Sequence, residues 1–266
     1  MNILVRTLLV LACLYAALCL AGCFAYRALL FPAPRDGAPE PPPGASLLEL
    51  RASGGVSVPA LHFEAPPGAP TLVHFHGNGE TIRTGIPFAR ALASRGLGVL
   101  LVEYRGYGAA AGEPGEEAFY DDAEAALAAL ASRGVRDEDL VLSGTSLGTG
   151  VAAEMAARGH GARLVLVTPY TSIPALAGRL VPILPMSLLV SDRFDTLAKA
   201  PRIQQPTLVI HGDEDELIPH DMGKAVASAV AAARLVTVPG GHHNDLFARK
   251  PDLIDTIADH AKGKAP

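Results

Sequence analysis

Short apolar runs alternate with helical patterns along most of the chain. From residue 46 onward, the apolar runs predict strands at 47–51, 56–63, 71–75, 98–102, 140–143, 164–167, 208–210 and 235–238. Helical patterns lie between most of them, at 82–94, 119–132, 147–158, 222–230 and 253–260. Runs such as 164–167 are apolar at every position, which is typical of strands buried on both faces of a parallel sheet. The alternation predicts a doubly wound α/β domain.

The first two predicted strands depart from this alternation. Only residues 52–55 separate them. A helical crossover needs a dozen or more residues, so we expect these strands to form an antiparallel hairpin at the edge of the sheet.

The N-terminal segment is uncharged over a long stretch, with Arg6 before it and Arg27 after it. A helix over residues 7–26 would span about 30 Å, the hydrocarbon thickness of a bilayer. Leu20-Ala21-Gly22-Cys23 also resembles the bacterial lipobox, so a lipoprotein signal ending before Cys23 and an uncleaved signal anchor both remain open. Either places the protein on a membrane, and the secretory character of the segment favours the extracytoplasmic side.

The remaining chain divides by composition. We expect a signal or membrane anchor over 1–26, a Pro-rich linker over 27–45 that acts as a semi-rigid spacer, and an α/β domain over 46–264. Residues 172–193 are apolar and interrupted by prolines. They predict a small lid, which could line a pocket, rest on a bilayer or pack in the core.

Composition excludes some classes of function. The 266 residues carry a net charge of −5, and the Lys and Arg residues are scattered, so nucleic-acid binding is not expected. The three cysteines lie at positions 13, 19 and 23, so the rest of the chain contains no disulfide and no cysteine metal site. No cofactor or metal is implied, and the oligomeric state cannot be read from these features.

The strongest chemical signal is Gly144-Thr145-Ser146-Leu147-Gly148, which follows a predicted strand and opens an alanine-rich helical pattern. This setting is typical of a nucleophile elbow, in which a serine occupies a strained turn and glycines let strand and helix cross closely. An ordinary glycine-rich strand–helix loop is the alternative. The signal therefore makes Ser146 a candidate nucleophile.

A second loop, His76-Gly77-Asn78-Gly79, directly follows the third predicted strand. In enzymes with a nucleophile elbow, a loop at this position supplies one backbone N–H of the oxyanion hole, and the residue after the nucleophile supplies the other. We expect these donors to be the amides of Asn78 and Leu147. His76 is expected to shape the loop and not to act as a base.

Two further polar loops follow predicted strands, at 211–216 and 240–245. Side chains at the carboxyl ends of strands lie on the rim where α/β active sites form. The chain order is serine, then acid, then histidine, as a triad on this fold requires. The residues alone leave Asp213 and Asp215 as alternatives for the acid, and His242 and His243 as alternatives for the base.

These motifs together resemble the α/β-hydrolase superfamily, and within it the small membrane-anchored serine hydrolases related to protein depalmitoylases. The resemblance runs from the N-terminal segment to the last predicted helix. Further points of similarity are Tyr26-Arg27-Ala28-Leu29-Leu30-Phe31-Pro32, Glu103-Tyr104-Arg105-Gly106-Tyr107-Gly108 with Gly112-Glu113-Pro114, Pro169-Tyr170-Thr171-Ser172 and Phe194-Asp195. The implied fold is an α/β-hydrolase fold with an eight-stranded, mostly parallel sheet, flanking helices and a small lid.

The resemblance also selects between the open alternatives. It implies a triad of Ser146, Asp215 and His243, because the family's acid is the second aspartate of its His-Gly-x-x-Asp loop and its histidine precedes Asn-Asp. His242, Asp213 and Ala110 depart from the family pattern, which has glycine, a non-acidic residue and serine there. These departures bear on substrate fit more than on catalysis.

The predicted activity is hydrolysis of a small-molecule or lipid-like acyl ester or thioester through an acyl-enzyme. A peptidase or amidase that uses the same triad is the second hypothesis. A non-catalytic binding protein with this fold is the third, and the intact set of Ser146, Asp215 and His243 argues against it. The substrate-binding residues, the acyl chain and the leaving group are not indicated by the sequence.

Overall fold

The computed structural model describes residues 2–264, and its centre is one sheet of eight strands in the order β1-β2-β4-β3-β5-β6-β7-β8. The strands are β1 (Ala45–Arg51), β2 (Ser57–Phe63), β3 (Thr71–Phe75), β4 (Gly98–Val102), β5 (Leu140–Thr145), β6 (Arg163–Val167), β7 (Thr207–Gly212) and β8 (Ala233–Val238). The helices are α1 (Ile3–Leu30), α2 (Ile86–Ala93), α3 (Glu116–Ala131), α4 (Leu147–Ala157), α5 (Ile173–Leu180), α6 (Met186–Leu189), α7 (Thr196–Lys199), α8 (His220–Ala229), α9 (Leu246–Arg249) and α10 (Leu253–Ala261).

The strand directions confirm the predicted fold class. β1 pairs with β2, and β2 with β4, in antiparallel orientation, and the five remaining pairs are parallel. A single 3-10 turn joins β1 to β2, as the short connection between them predicts. The strand order reverses around β3 and β5, and this reversal opens a crevice at the carboxyl ends of the strands.

The sheet is covered on both faces. One hydrophobic core packs α3, α4 and α8 against it, and a second core packs α2 and α10 against the other face. The central strands β3, β4 and β5 are buried almost throughout, which agrees with their mostly apolar sequences. Their carboxyl ends are therefore held rigidly, and the loops that follow them inherit fixed positions.

The N-terminal helix is longer than the predicted anchor. α1 runs for 28 residues to Leu30, none of its residues is buried, and it is apolar and long enough to cross a membrane. Residues 27–30 of the predicted linker therefore belong to this helix. Phe31, directly after it, is buried and packs edge-on against Phe119 at 5.4 Å between ring centroids.

The first part of the predicted spacer is thus folded onto the domain. The Gly108 amide donates to the carbonyl of Pro34 at 2.7 Å, and Arg35 donates to the carbonyl of Ala110, also at 2.7 Å. Composition alone predicted a semi-rigid spacer because proline excludes helix. It does not exclude an extended segment whose one large apolar side chain enters the core.

The predicted lid contains α5 and α6. Ser172 begins it by accepting a hydrogen bond from the Ala175 amide, which caps α5. Asp192 lies near the other end of the lid. Its carboxylate accepts hydrogen bonds from the Glu116 amide at 2.9 Å and from the Tyr26 hydroxyl at 2.8 Å. Both ends of the lid are therefore fixed to the rest of the structure.

Candidate active site

Ser146 lies in the turn between β5 and α4, at the carboxyl end of a central strand. Its backbone has a φ of 50° and a ψ of −116°, a strained conformation for a residue with a side chain. A Cβ atom on Gly144 would overlap the carbonyl of Gly148, and one on Gly148 would overlap the carbonyl of Phe75. The two glycines of the elbow are therefore required by the close crossing of strand and helix.

The structure brings the three residues of the predicted triad together. His243 Nε2 lies 3.1 Å from Ser146 Oγ, and His243 Nδ1 lies 2.8 Å from Asp215 Oδ2. The three residues come from three separate loops, after β5, β7 and β8. A neutral imidazole that donates from Nδ1 to the carboxylate leaves the Nε2 lone pair free to accept the serine proton.

Asp215 is held in its ionised form. Burial raises the pKa of this carboxyl, but hydrogen bonds from His211, His243 and the Ile218 amide outweigh it and hold the pKa well below its usual range. The amides of Leu217 and Ile218 donate to Oδ1 at 3.0 and 2.7 Å. The carboxylate is therefore fixed in position and charged when it orients His243.

Sequence reasoning missed His211 as part of this environment. The side chain is fully buried, and its Nε2 lies 2.8 Å from the Ile218 carbonyl and 3.3 Å from Asp215 Oδ2. Because a carbonyl can only accept, Nε2 carries the proton. The sequence shows a histidine near the end of β7, which could have drawn attention to it. Its partners lie in a loop whose shape cannot be read from the sequence.

The neighbouring residues point elsewhere. His242 is half-buried, with its side chain 44% exposed and Nδ1 at 3.2 Å from Glu216. Asp213 accepts a hydrogen bond from the Gly240 amide at 2.6 Å, and so links the acid loop to the histidine loop. Neither contacts Ser146 or His243 in the described structure, which agrees with the assignment of His243 and Asp215.

The amides expected to form the oxyanion hole lie beside Ser146. Asn78 and Leu147 line the same cavity as Ser146, and within residues 2–264 neither amide donates a hydrogen bond to a protein group. Leu147 also begins α4, where the helix N-terminus favours negative charge. These amides are free to receive a developing oxyanion.

The loop that carries Asn78 is fixed by a buried hydrogen bond between His76 and Glu103. His76 Nδ1 lies 2.8 Å from the Gly77 carbonyl, and Nε2 lies 2.8 Å from Glu103 Oε1. The carbonyl accepts a hydrogen bond from Nδ1–H, so a second proton is shared between Nε2 and the Glu103 carboxylate. Both side chains are buried. His76 therefore shapes the loop, as expected, and its essential partner lies 27 residues along the chain.

The segment after β4 also forms hydrogen bonds to the loop that carries Asn78. Tyr104 donates to the His76 carbonyl at 3.0 Å, and Tyr107 donates to the Asn78 side chain at 3.4 Å. Glu103 also leaves no room beside Gly108, where a Cβ atom would overlap its carboxylate. The sequence Glu103–Gly108 thus has a physical role that resemblance alone did not give.

An apolar cavity of about 280 Å³ opens from Ser146. Its walls come from the lid, with Leu176, Met186 and Val190, and from the end of α1, with Leu29 and Leu30. No carboxylate lines it within the described part of the chain. This cavity can hold an uncharged, apolar group attached to a carbonyl at Ser146.

A second cavity, of about 380 Å³, lies on the other side of His243 and is more polar. Glu80, Thr84 and the buried His74 line it together with Phe88. Burial and the nearby His76 lower the pKa of His74 to about 3, so it is neutral at ordinary pH. Among residues 2–264, no group of three or more side chains is placed to hold a metal ion.

Comparison with known proteins agrees with this architecture. Residues 67–193 match the family model described as serine aminopeptidase, S33. The chain is 34% identical over 200 residues to the human alpha/beta hydrolase domain-containing protein 17B, covering 74% of this chain and 68% of that protein. It is 35% identical over 188 residues to an uncharacterized protein of Mycobacterium tuberculosis, covering 70% of this chain but only 65% of that one.

Solved structures share the fold at lower sequence identity. A hydrolase from Pseudomonas aeruginosa aligns with a TM-score of 0.63 and 24% identity, over 82% of this chain and 98% of its own. An esterase from Pyrococcus furiosus aligns with a TM-score of 0.71 and 17% identity, over 87% of this chain and 98% of its own. At these identities the likeness concerns the fold.

Proposed function

The chain belongs to the α/β hydrolases, in the family of alpha/beta hydrolase domain-containing protein 17B, and from this premise we propose that it is a serine hydrolase that cleaves carboxylic esters or thioesters. Ser146 Oγ attacks the acyl carbonyl while His243 Nε2 accepts its proton. His243 then protonates the leaving group, and an acyl-enzyme forms on Ser146. Water activated by His243 releases the acid.

Each supporting group has a defined part in this proposal. Asp215 stays ionised, keeps the proton of His243 on Nδ1 and stabilises the imidazolium that forms during attack. The Asn78 and Leu147 amides receive the oxyanion, and the pair of His76 and Glu103 holds the first of them in place. The observation that carries the proposal is the 3.1 Å contact between Ser146 Oγ and His243 Nε2 at the floor of an apolar cavity.

The cavity favours an acyl ester or thioester over a peptide substrate. An aminopeptidase must bind the charged α-amino group of its substrate on the acyl side of the scissile bond. The cavity beside Ser146 has no carboxylate among the described residues that line it. An unpaired ammonium group buried there would be costly. Glu80 lines the second, more polar cavity, and its carboxylate already accepts a hydrogen bond from the Gly77 amide at 2.7 Å.

We also propose that the N-terminal segment over 1–26 holds the enzyme on a membrane, with the catalytic domain over 46–264 on the extracytoplasmic side. The long, unburied apolar helix α1 supports the anchor. The order of a short basic start and an apolar run, typical of a secretory signal, supports the side. Protease digestion of intact cells, before and after permeabilisation, tests the side: the domain should be cut without permeabilisation.

Hydrolysis of nitrophenyl esters of increasing acyl length tests the substrate class. Each methylene that enters an apolar cavity contributes about 0.8 kcal/mol, so kcat/KM should rise about fourfold per methylene until the cavity is full. Ala177→Phe, which fills this cavity, should shift the optimum to shorter chains. Ala91→Phe fills the polar cavity and should leave the optimum in place. A rate that falls steadily with chain length, or equal turnover of matched amides, contradicts the proposal.

A further inference from the structure

The lid presents an apolar surface that the rest of the described structure does not cover. We define the lid tip as residues 180–189, a stretch whose only polar side chain is Ser187. Its exposed fractions are 58% for Leu180, 36% for Val181, 67% for Ile183 and 83% for Leu188. A contiguous apolar patch of this kind marks a contact surface for another apolar phase or partner.

The lid tip lies alongside α1. Tyr15 donates from its hydroxyl to the Ile183 carbonyl at 3.0 Å. A Cβ atom on Gly22 would stand 3.4 Å from Leu184 and 3.7 Å from Leu189. Tyr15 precedes Tyr26 by 11 residues, or about 17 Å of helix. The tip therefore reaches well along the apolar part of the helix, and a bilayer that surrounds that part also surrounds the tip.

Polar residues lie at the end of each apolar surface. At the end of α1, Arg27 and Tyr26 bind Asp192, at 2.5 and 2.8 Å. At the base of the lid, Arg179 binds Asp221 at 2.6 Å. Charged and tyrosine side chains at the limit of an apolar surface are typical of a membrane interface.

The backbone of the lid tip suits an apolar surrounding. The amides of Leu184, Leu188 and Val190 donate to carbonyls of the same segment, at 3.2, 2.8 and 3.0 Å. In hydrocarbon, backbone groups must find partners inside the protein, because water is absent. These bonds therefore permit immersion of the lid tip but do not by themselves require it.

The acyl cavity reaches the surface between these two elements. Leu29 and Leu30 of α1 form one wall, and Leu180 and Val181 of the lid form another. Leu29 and Leu180 are themselves largely exposed, so the opening lies where the helix and the lid meet. Ser146, which is 9% exposed, lines the same cavity.

We propose that the lid tip and α1 form one surface immersed in the bilayer, and that the acyl chain enters the cavity sideways from the hydrocarbon. The substrate is then an ester or thioester whose long acyl chain is embedded in the membrane. The entry route rests on the proposed function, whereas the immersion of the lid does not. This arrangement requires the uncleaved signal anchor, because cleavage before Cys23 would remove Tyr15 and Gly22.

Tryptophan fluorescence tests the immersion without reference to activity, because the chain contains no tryptophan. Leu188→Trp places a single reporter on the lid tip, and Leu197→Trp places a matched one on an exposed leucine of α7. The full chain is reconstituted in phosphatidylcholine vesicles with or without brominated acyl chains. Bromine should quench Leu188→Trp at least about twofold and leave Leu197→Trp unchanged.

Two results of the fluorescence experiment overturn the immersion. Absence of quenching in Leu188→Trp places the lid tip in water or against a protein, including a second copy of the chain. Equal quenching of both variants shows that the lid tip lies no deeper in the bilayer than α7, which overturns a membrane surface formed by the lid tip and α1.

Turnover on two substrates tests the route. Ile183→Ser combined with Leu188→Ser changes exposed residues outside both cavities. Hydrolysis of a long-chain ester embedded in vesicles should fall about tenfold, and hydrolysis of a water-soluble butyrate ester should stay within about twofold. Leu197→Ser should change neither rate.

A failure of the sideways entry can be distinguished from a failure of the proposed function. An unchanged ratio of the embedded to the soluble rate in the double variant overturns the sideways entry while the esterase stands. If the wild-type protein hydrolyses neither ester, the proposed function fails, and with it the entry route. The tryptophan measurement still decides whether the lid lies in the bilayer.

Discussion

The buried pair of Glu103 and His76 offers a test of how the oxyanion loop is held. Glu103→Gln keeps the shape of the side chain and removes its charge. Glu103 binds His76 at 2.8 Å and the Ile82 amide at 3.3 Å, and it is fully buried. A hydrogen bond to a charged group contributes about 1.5–3 kcal/mol, so the free energy of unfolding should fall by about that amount.

The effect on turnover follows from the same contact. Loss of one oxyanion donor costs about 10²–10³ in kcat, which sets the upper limit for a loop that moves completely. Glu103→Gln removes only the charged support of the loop and should lower kcat about 10–100-fold. KM for a short-chain ester should hardly change, because Glu103 lines neither cavity.

Glu154→Gln provides the matched control. Glu154 binds Lys199 and Arg158, each at 2.9 Å, on the face of α4 away from the oxyanion loop. It should lower stability and leave kcat unchanged. Urea unfolding and steady-state kinetics on both variants separate the two effects. A kcat for Glu103→Gln within about twofold of wild type, or an equal loss in Glu154→Gln, would refute the positioning role.

Three further predictions concern the triad and the packing of the N-terminal segment. His243→Ala should lower kcat by several orders of magnitude, and His242→Ala by about tenfold or less; steady-state assays that show the reverse place the base one residue earlier. Asp215→Asn should lower kcat about 10⁴-fold. Because the pKa of Asp215 is depressed on folding, the stability that its carboxylate contributes is present above about pH 4 and is lost as the pH falls further. In urea unfolding, the wild-type protein should therefore be more stable than Asp215→Asn at pH 7, and this difference should decline below about pH 4. Phe31→Ala should cost about 3–5 kcal/mol in thermal or urea unfolding, because the ring packs on Phe119 in the core; a loss below about 1 kcal/mol would mean that residue 31 belongs to a spacer that does not pack on the domain.

The sequence predicted those features that depend on local patterns. Short, mostly apolar runs located all eight strands, and the runs that are apolar at every position, such as 164–167, indicated strands buried on both faces of the sheet. The short connection at 52–55 predicted the antiparallel hairpin for a geometric reason. The elbow around Ser146 was visible because close crossing of strand and helix demands glycine at fixed offsets.

The features that it missed depend on contacts between distant segments. Glu103 meets His76 across 27 residues, and Tyr26 meets Asp192 across 166. No spacing rule gives such pairs, since they follow from the order of strands in the sheet. The burial of Phe31 was missed for the same reason. The choice between adjacent residues, such as His242 and His243, depended on resemblance, because an extended loop does not reveal which side faces the serine.

The central claim is that Ser146 is the nucleophile of an acyl-transferring triad, and covalent labelling tests it most directly. A fluorophosphonate probe should add once to the full-length protein, and peptide mapping by mass spectrometry should place the adduct on Ser146. Ser146→Ala should abolish labelling while the free energy of unfolding changes by less than about 1.5 kcal/mol. An adduct on another residue, or undiminished labelling of a folded Ser146→Ala variant, would contradict the account.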